Sequence, residues 1–316
     1  MAPRITILGS LNIDLVSYVP HHPLPGETLT SNGFNSSPGG KGANQAVACA
    51  KLSRTSSLSG ATADVYMIGA VGNDAFGTVL RDSLQSYGVD VSAVAVRDAS
   101  KTGVAVIVVD EPSGQNRIIF SPEANYSLLP KHFAQLPAPL TDLLIMQLEI
   151  PFDTVMQALK AAKAAGVPVL LNPAPAQVLP AEAYDGLAHL VVNETEAALL
   201  SGKPESELES PEGLQRVGQL FLDKGVQNVI ITLGGRGVYY VNSAGQGALV
   251  QAEKTVVVDT TAAGDTFVGS YALAVVGATG TPFDIDAAIR AANKASAKTV
   301  ARKGAQVSIP WKDELE

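Results

Sequence analysis

Short apolar runs recur along the chain at residues 5–8, 104–109, 143–146, 167–171, 190–192 and 229–231. Each is too short for a helix and carries little polar alternation, which is the pattern of a strand buried on both faces. Longer segments with a helical period lie between several of them. In 153–165, Val155, Met156, Leu159 and Ala162 fall at helical spacing, and Gly166 with Pro168 ends the pattern. Strand, helix and strand in succession imply crossover connections. The predicted fold is therefore a three-layer α/β/α arrangement around a mostly parallel sheet.

Two stretches break this alternation. Residues 15–38 are rich in Pro, His, Ser and Asn and have no helical period, while 102–120 reads as two strands around the turn Glu111-Pro112-Ser113-Gly114. Both predict β-structure outside the parallel sheet. The expected organisation is a core of 1–14, 39–100 and 121–316, with a small β-sheet lid built from 15–38 and 101–120. The Ser- and Thr-rich stretch 53–64 reads as a loop insertion.

Composition narrows the range of functions. With 46% hydrophobic and 16% charged residues, the 316-residue chain can bury a large core. A net charge of −8, without clustered Lys or Arg, excludes a nucleic-acid-binding surface. The one cysteine, Cys49, sits in an Ala-rich run and reads as an inert buried thiol. No apolar stretch is long enough to span a membrane, and the opening Met1-Ala2-Pro3-Arg4 leads into a run too short for a signal peptide. A small-molecule substrate and a cytoplasmic setting are expected.

The chemistry concentrates in polar segments that follow predicted strands. In Asp259-Thr260-Thr261-Ala262-Ala263-Gly264-Asp265, small residues precede an apolar helical run, so backbone N–H groups can converge where the helix dipole favours an anion. Asp265 then either helps to cap that helix or acts as a base beside a phosphate. Pro38-Gly39-Gly40-Lys41-Gly42-Ala43-Asn44 lacks the spacing of a Walker A loop, but its glycines suit close approach to a polyhydroxylated ligand. Asn12 and Asp14 follow the first strand, where ligands of parallel sheets bind, although both types also form turns. Asn193 and Glu196 can close a capping box or face phosphates. Thr232-Leu233-Gly234-Gly235-Arg236-Gly237 has no dinucleotide fingerprint and can equally be a hairpin turn.

Taken in order, Asn12-Ile13-Asp14, the Gly39–Asn44 segment, Ala262-Ala263-Gly264-Asp265 and Arg302-Lys303-Gly304-Ala305-Gln306 with Ser308 and Pro310-Trp311 resemble the PfkB carbohydrate kinase family over nearly the whole chain. That resemblance implies ATP-dependent phosphorylation of D-ribose at O5, with Asp265 as base and Ala262, Ala263 and Gly264 shaping an anion hole. It implies that Asn12, Asp14, Gly40, Lys41, Gly42, Asn44 and Glu149 hold the sugar. Asn193, Glu196, Thr232, Leu233, Gly234, Gly235, Arg236, Gly237, Gly264, Asp265 and Asn293 would line the ATP site, with Glu196 holding water on Mg²⁺. Asn293 stands where some relatives have His. Asp259, Thr261, Thr299, Arg302, Gly304 and Ser308 match the positions of a K⁺ site. The lid would cover the sugar and form a homodimer contact. A kinase of another sugar, such as fructose or a keto-deoxy sugar acid, and a non-catalytic sugar- or nucleotide-binding relative are the alternatives. A nucleoside kinase fits less well, because 5% aromatic content offers little to sandwich a base.

Overall fold

The computed structural model describes residues 2–278 and 282–315. In chain order, β1 (Arg4–Leu8) is followed by β2 (Asn12–Val19), β3 (Gly33–Gly39), α1 (Lys41–Ser53), β4 (Asp64–Gly72), α2 (Ala75–Ser86), β5 (Asp90–Arg97), β6 (Gly103–Asp110) and β7 (Asn116–Ser121). Next come β8 (Leu143–Met146), α3 (Phe152–Ala165), β9 (Val169–Leu171), β10 (His189–Asn193), α4 (Glu194–Ser201), α5 (Pro211–Asp223) and β11 (Asn228–Thr232). The chain closes with β12 (Val238–Asn242), β13 (Gly247–Val250), α6 (Ala263–Gly277) and α7 (Ile285–Val300).

The main sheet runs β13-β12-β11-β10-β9-β8-β1-β4-β5. From β11 to β5 every neighbour is parallel, and only the β11–β12 and β12–β13 pairs are antiparallel, so that β12 alone is reversed. Side chains alternate between two buried cores, as a sheet covered on both faces requires. Ile5, Ile7, Leu143, Ile145, Val191 and Ile230 join residues of α1, α2, α6 and α7 in one core. Leu144, Met146, Leu190, Val192, Val229 and Ile231 join residues of α3, α4 and α5 in the other. The three-layer α/β/α architecture read from the sequence is thus the one observed.

A separate four-stranded sheet, in the order β3-β2-β6-β7, contains the segments set apart in the sequence. The β6–β7 hairpin pairs Val104 with Ser121 through Val109 with Asn116, around the turn at residues 111–114. Its strand β2 begins at Asn12, only three residues after β1 ends, so the residues next to the first strand already belong to the second sheet.

Almost every residue of α1 is buried, including Cys49 at 0% exposure. Its Ala-rich sequence follows from its place between the main sheet and α6, where larger side chains would not fit.

Candidate active site

The polar residues singled out in the sequence emerge beyond the carboxyl ends of parallel strands: Asn12 after β1, Glu149 after β8, Asn193 at the end of β10 and Thr232 at the end of β11. Parallel sheets bind ligands at this edge because the loops and helix N-termini converge there. Gly40 makes the sharp entry into α1. Its φ is +89°, and a Cβ there would lie 2.8 Å from the Asn12 nitrogen, so only glycine turns the chain here.

The start of α1 is closed by Glu149. Its Oε2 accepts from the Lys41 N–H at 3.0 Å and from the Ser10 hydroxyl, with the Asn12 amide further off at 3.4 Å. A carboxylate at this position satisfies a free helix N–H and complements the dipole. Asn12 is 2% exposed, and its Oδ1 accepts from Asn125 Nδ2 at 2.8 Å. The long contact from Asn12 Nδ2 to Glu149 is the one it can exchange for a ligand.

Asp14, on β2, has its carboxyl pushed up to about 7 by burial and then by the charges of Glu149 and Asp265, with Lys41 opposing. Burial alone would lower the Lys41 ammonium. The surrounding Asp265, Glu149, Glu196 and Asp14 outweigh it and raise the group instead, so Lys41 stays charged at the centre of four acids.

Asp265 lies in the first turn of α6. The turn before it is formed by Ala262 in the left-handed region, with φ 59°. This is a strained conformation for a residue with a side chain. The Ala262 carbonyl then accepts from both the N–H and the hydroxyl of Thr266 at 2.8 Å. Among the N–H groups expected to face an anion, that of Ala263 is taken by Thr260 at 3.2 Å, whereas those of Gly264 and Asp265 have no acceptor among the described residues. The Asp265 side chain does not turn back on its own helix. It is 8% exposed and accepts from Asn44 Nδ2 at 3.1 Å and from Gln45 Nε2 at 3.0 Å, both on α1.

Behind this point a cleft of about 450 Å³ is lined by Thr232, Gly234, Gly235, Gly237, Gly264 and Asn293, together with Val257 and Phe267. Asn293 already donates to the Gln251 carbonyl at 3.1 Å. Of the residues assigned to the ATP site from the sequence, Asn193, Glu196, Leu233, Arg236 and Asp265 do not line this cleft. Leu233 is 3% exposed in the core against α5, and Arg236 turns to Glu194 and to the Leu208 carbonyl. The segment 232–237 joins the antiparallel pair β11–β12, so its hairpin character and its place in the cleft coexist. Asn193 and Glu196 form a reciprocal capping box on α4, with bonds of 2.9 and 2.8 Å. Burial raises the Glu196 carboxyl.

Of the six residues matched to a cation site, Asp259, Thr261 and Gly304 meet. The Asp259 carboxylate accepts from the Thr261 N–H at 2.9 Å, its hydroxyl at 2.6 Å and the Gly304 N–H at 2.9 Å. Burial acts to raise this carboxyl, but those bonds prevail and hold it low. One carboxylate among neutral oxygens suits a monovalent cation. The Thr299 and Ser308 hydroxyls turn inward to Thr266 and the Ala305 carbonyl, and Arg302 pairs with Glu314. No cluster of three or more His, Cys, Asp or Glu suited to a metal exists among the described residues.

Several polar residues at this edge escaped the sequence reading. Ser10, Gln45, Asn125, Gln147, Asn172 and Gln306 all hydrogen-bond to, or one residue away from, those named above. Gln45 adjoins and Gln306 belongs to a motif already noted, but nothing local distinguishes a buried Gln from a surface one.

A buried carboxylate beside free helix N–H groups, placed between the charged cluster of Asp14, Lys41 and Glu149 and the cleft lined by its neighbour Gly264, is the arrangement that phosphoryl transfer to a hydroxyl requires. The model of the pfkB family carbohydrate kinases matches residues 2–312, and the chain belongs to that family. It is 43% identical to a ribokinase of Schizosaccharomyces pombe, over 97% of this chain and 95% of that one. A deoxyribokinase of Salmonella typhi is 34% identical, over 97% and 95%. The solved structure of Arabidopsis thaliana ribokinase complexed with ribose and ATP superposes with a TM-score of 0.87 at 31% identity, covering 100% of this chain and 98% of that one.

Proposed function

We propose that the protein is a ribokinase: it transfers the γ-phosphoryl group of ATP to O5 of D-ribose. The observation that carries this reading is the position of Asp265. Its carboxylate is buried between that charged cluster and the cleft, in the same turn as the free N–H groups of Gly264 and Asp265. Ribose binds between the main sheet and the small second sheet, which serves as a lid, with Asp14 accepting from vicinal hydroxyls and Asn44 and Lys41 opposite. ATP occupies the cleft lined by Thr232, Gly237 and Asn293. Asp265 takes the proton from O5 as that oxygen attacks in line. The N–H groups of Gly264 and Asp265, with the Lys41 ammonium, take up charge on the transferring group.

Mg²⁺ would supply charge neutralisation on the phosphates, with Glu196 holding one of its waters. K⁺ at Asp259, Thr261 and Gly304 would fix the turn that leads into α6. Phe34, Ile118 and Ile119 are exposed on the second sheet and support a homodimer formed through it. No helix among the described residues is long and apolar enough to cross a membrane, and the buried Cys49 fits a cytoplasmic setting.

The test is ATP turnover with D-ribose, 2-deoxyribose and fructose, in K⁺ or in a bulky organic cation, for the parent and for Asp265→Asn. The expected result is K⁺-stimulated use of ribose, poor use of 2-deoxyribose, and a loss of about 10³-fold or more in kcat for Asp265→Asn. Preferred use of 2-deoxyribose would reassign the substrate to that of the Salmonella relative.

A further inference from the structure

Two chains of amide side chains, buried except for the half-buried Asn172, end on the two oxygens of Asp265, and the carboxylate admits only an N–H donor from each. The first starts at a group that cannot turn over, the main-chain carbonyl of Val191 in β10. It accepts from Asn172 Nδ2 at 2.9 Å, which leaves Asn172 Oδ1 facing Gln45. Gln45 Nε2 donates to that oxygen at 3.0 Å and to Asp265 Oδ1 at 3.0 Å. At its other end, Gln45 Oε1 accepts from Gln147 Nε2 at 2.6 Å. Rotating the Gln45 amide by half a turn would set its oxygen against two oxygens and its NH₂ against that of Gln147. Gln45 and Gln147 are both 0% exposed, so water cannot repair such a mismatch.

The second chain reaches the other oxygen. Gln306 Oε1 accepts from the Ser83 hydroxyl at 3.2 Å, and Gln306 Nε2 donates to Asn44 Oδ1 at 3.2 Å. That leaves Asn44 Nδ2 to donate to Asp265 Oδ2 at 3.1 Å. The segment carrying Gln306 is itself pinned, because the Lys51 ammonium donates to the Gln306 carbonyl at 3.3 Å and rests 5.2 Å from the ring centres of both Tyr87 and Trp311.

Gln147 Oε1 is buried without a partner. A purely structural amide would be expected to satisfy both ends, so the position is held for the donor it directs at Gln45. Two N–H donors at fixed points prevent the carboxylate from rotating. Each oxygen still has acceptor capacity for a substrate hydroxyl.

We propose that Gln45 and Gln306 are positioning residues for the base, Gln45 by direct contact and Gln306 through Asn44. The proposal rests on Asp265 being that base. Steady-state kinetics with varied ribose, calorimetric ribose binding and melting temperature would be measured on Asp265→Asn, Gln45→Leu, Gln45→Glu and Gln306→Leu. Gln45→Leu should lower kcat roughly 10- to 100-fold, the worth of one hydrogen bond to a charged group, with ribose affinity within about 2-fold of the parent. Gln45→Glu keeps the shape but turns an acceptor toward Asp265, and should lose more than about 100-fold. Gln306→Leu should lose about 10-fold in kcat with the same unchanged affinity. A normal kcat in Gln45→Leu beside an inactive Asp265→Asn would overturn this inference while leaving the base in place. Parallel losses of kcat, affinity and melting temperature would overturn it too, since they mark a merely structural role. If Gln45→Leu does not fold, the same criteria applied to Gln306→Leu decide the matter. Turnover retained in Asp265→Asn would sink the base and this inference together.

Discussion

Replacing Asp14 by Asn should stabilise the unliganded protein in alkaline solution while weakening its hold on ribose. Burial, then the charges of Glu149 and Asp265, raise the Asp14 carboxyl from 3.8 to about 7 against the pull of Lys41. A carboxyl raised on folding binds its proton more tightly in the native state than in the unfolded one. Its contribution to stability is therefore complete below 3.8 and is lost as pH rises through about 7. A displacement of that size corresponds to ~4 kcal/mol in full, and solvent screening of the partly exposed side chain reduces the expected effect to about 2 kcal/mol. Asn carries no charge to desolvate. Denaturant unfolding of Asp14→Asn and the parent, from about pH 4.5 to about pH 8, should show the variant gaining about 2 kcal/mol on the parent across that range. Its KM for ribose should rise about 10-fold or more, since the acceptor of two hydroxyls is gone. Stability curves that run parallel over this range would refute the argument, because they would mean that Asp14 meets no net cost in ionising.

Other parts of the site give sharper local tests. Ala262 holds φ at 59°, so Ala262→Gly should stabilise the protein by about 0.5 kcal/mol in thermal unfolding; destabilisation would show that the turn is not strained. In Gly39→Ala the added methyl would fall 2.1 Å from Asp14 Oδ2, displacing that carboxylate and raising the KM for ribose by about 10-fold, whereas an unchanged KM would separate Asp14 from sugar binding. The Cys49 thiol is pushed up to about 12 by complete burial and should resist thiol reagents until the protein unfolds. Rapid alkylation of the native protein would contradict the packing of α1.

How much of this was legible in advance depends on the range of the interactions involved. The fully buried strands β1, β8, β10 and β11 appear as unbroken apolar runs because both of their faces are covered. β4 and β5 do not, since glycines at 69 and 72 interrupt one and exposed positions alternate through the other. The β6–β7 hairpin was readable because its turn residues lie between its own two strands. The direction of Arg236 was not readable because it is set by Glu194, distant in sequence, and not by the glycines beside it.

Sequence by itself determined the alternation of buried strands with helices, the β-structure outside the main sheet and the segments that carry the chemistry, because burial patterns, turn residues and helix starts are local properties of the chain. Only the tertiary structure decided what those segments do to one another. Asp14 is raised by burial and then by charges from the segment after β8 and from α6, Glu149 closes a helix that begins more than a hundred residues earlier, and the orientation of the Gln45 amide beside Asp265 traces back to a main-chain carbonyl in β10. Charge and hydrogen-bond direction act through space, and their outcome depends on which groups the fold buries together.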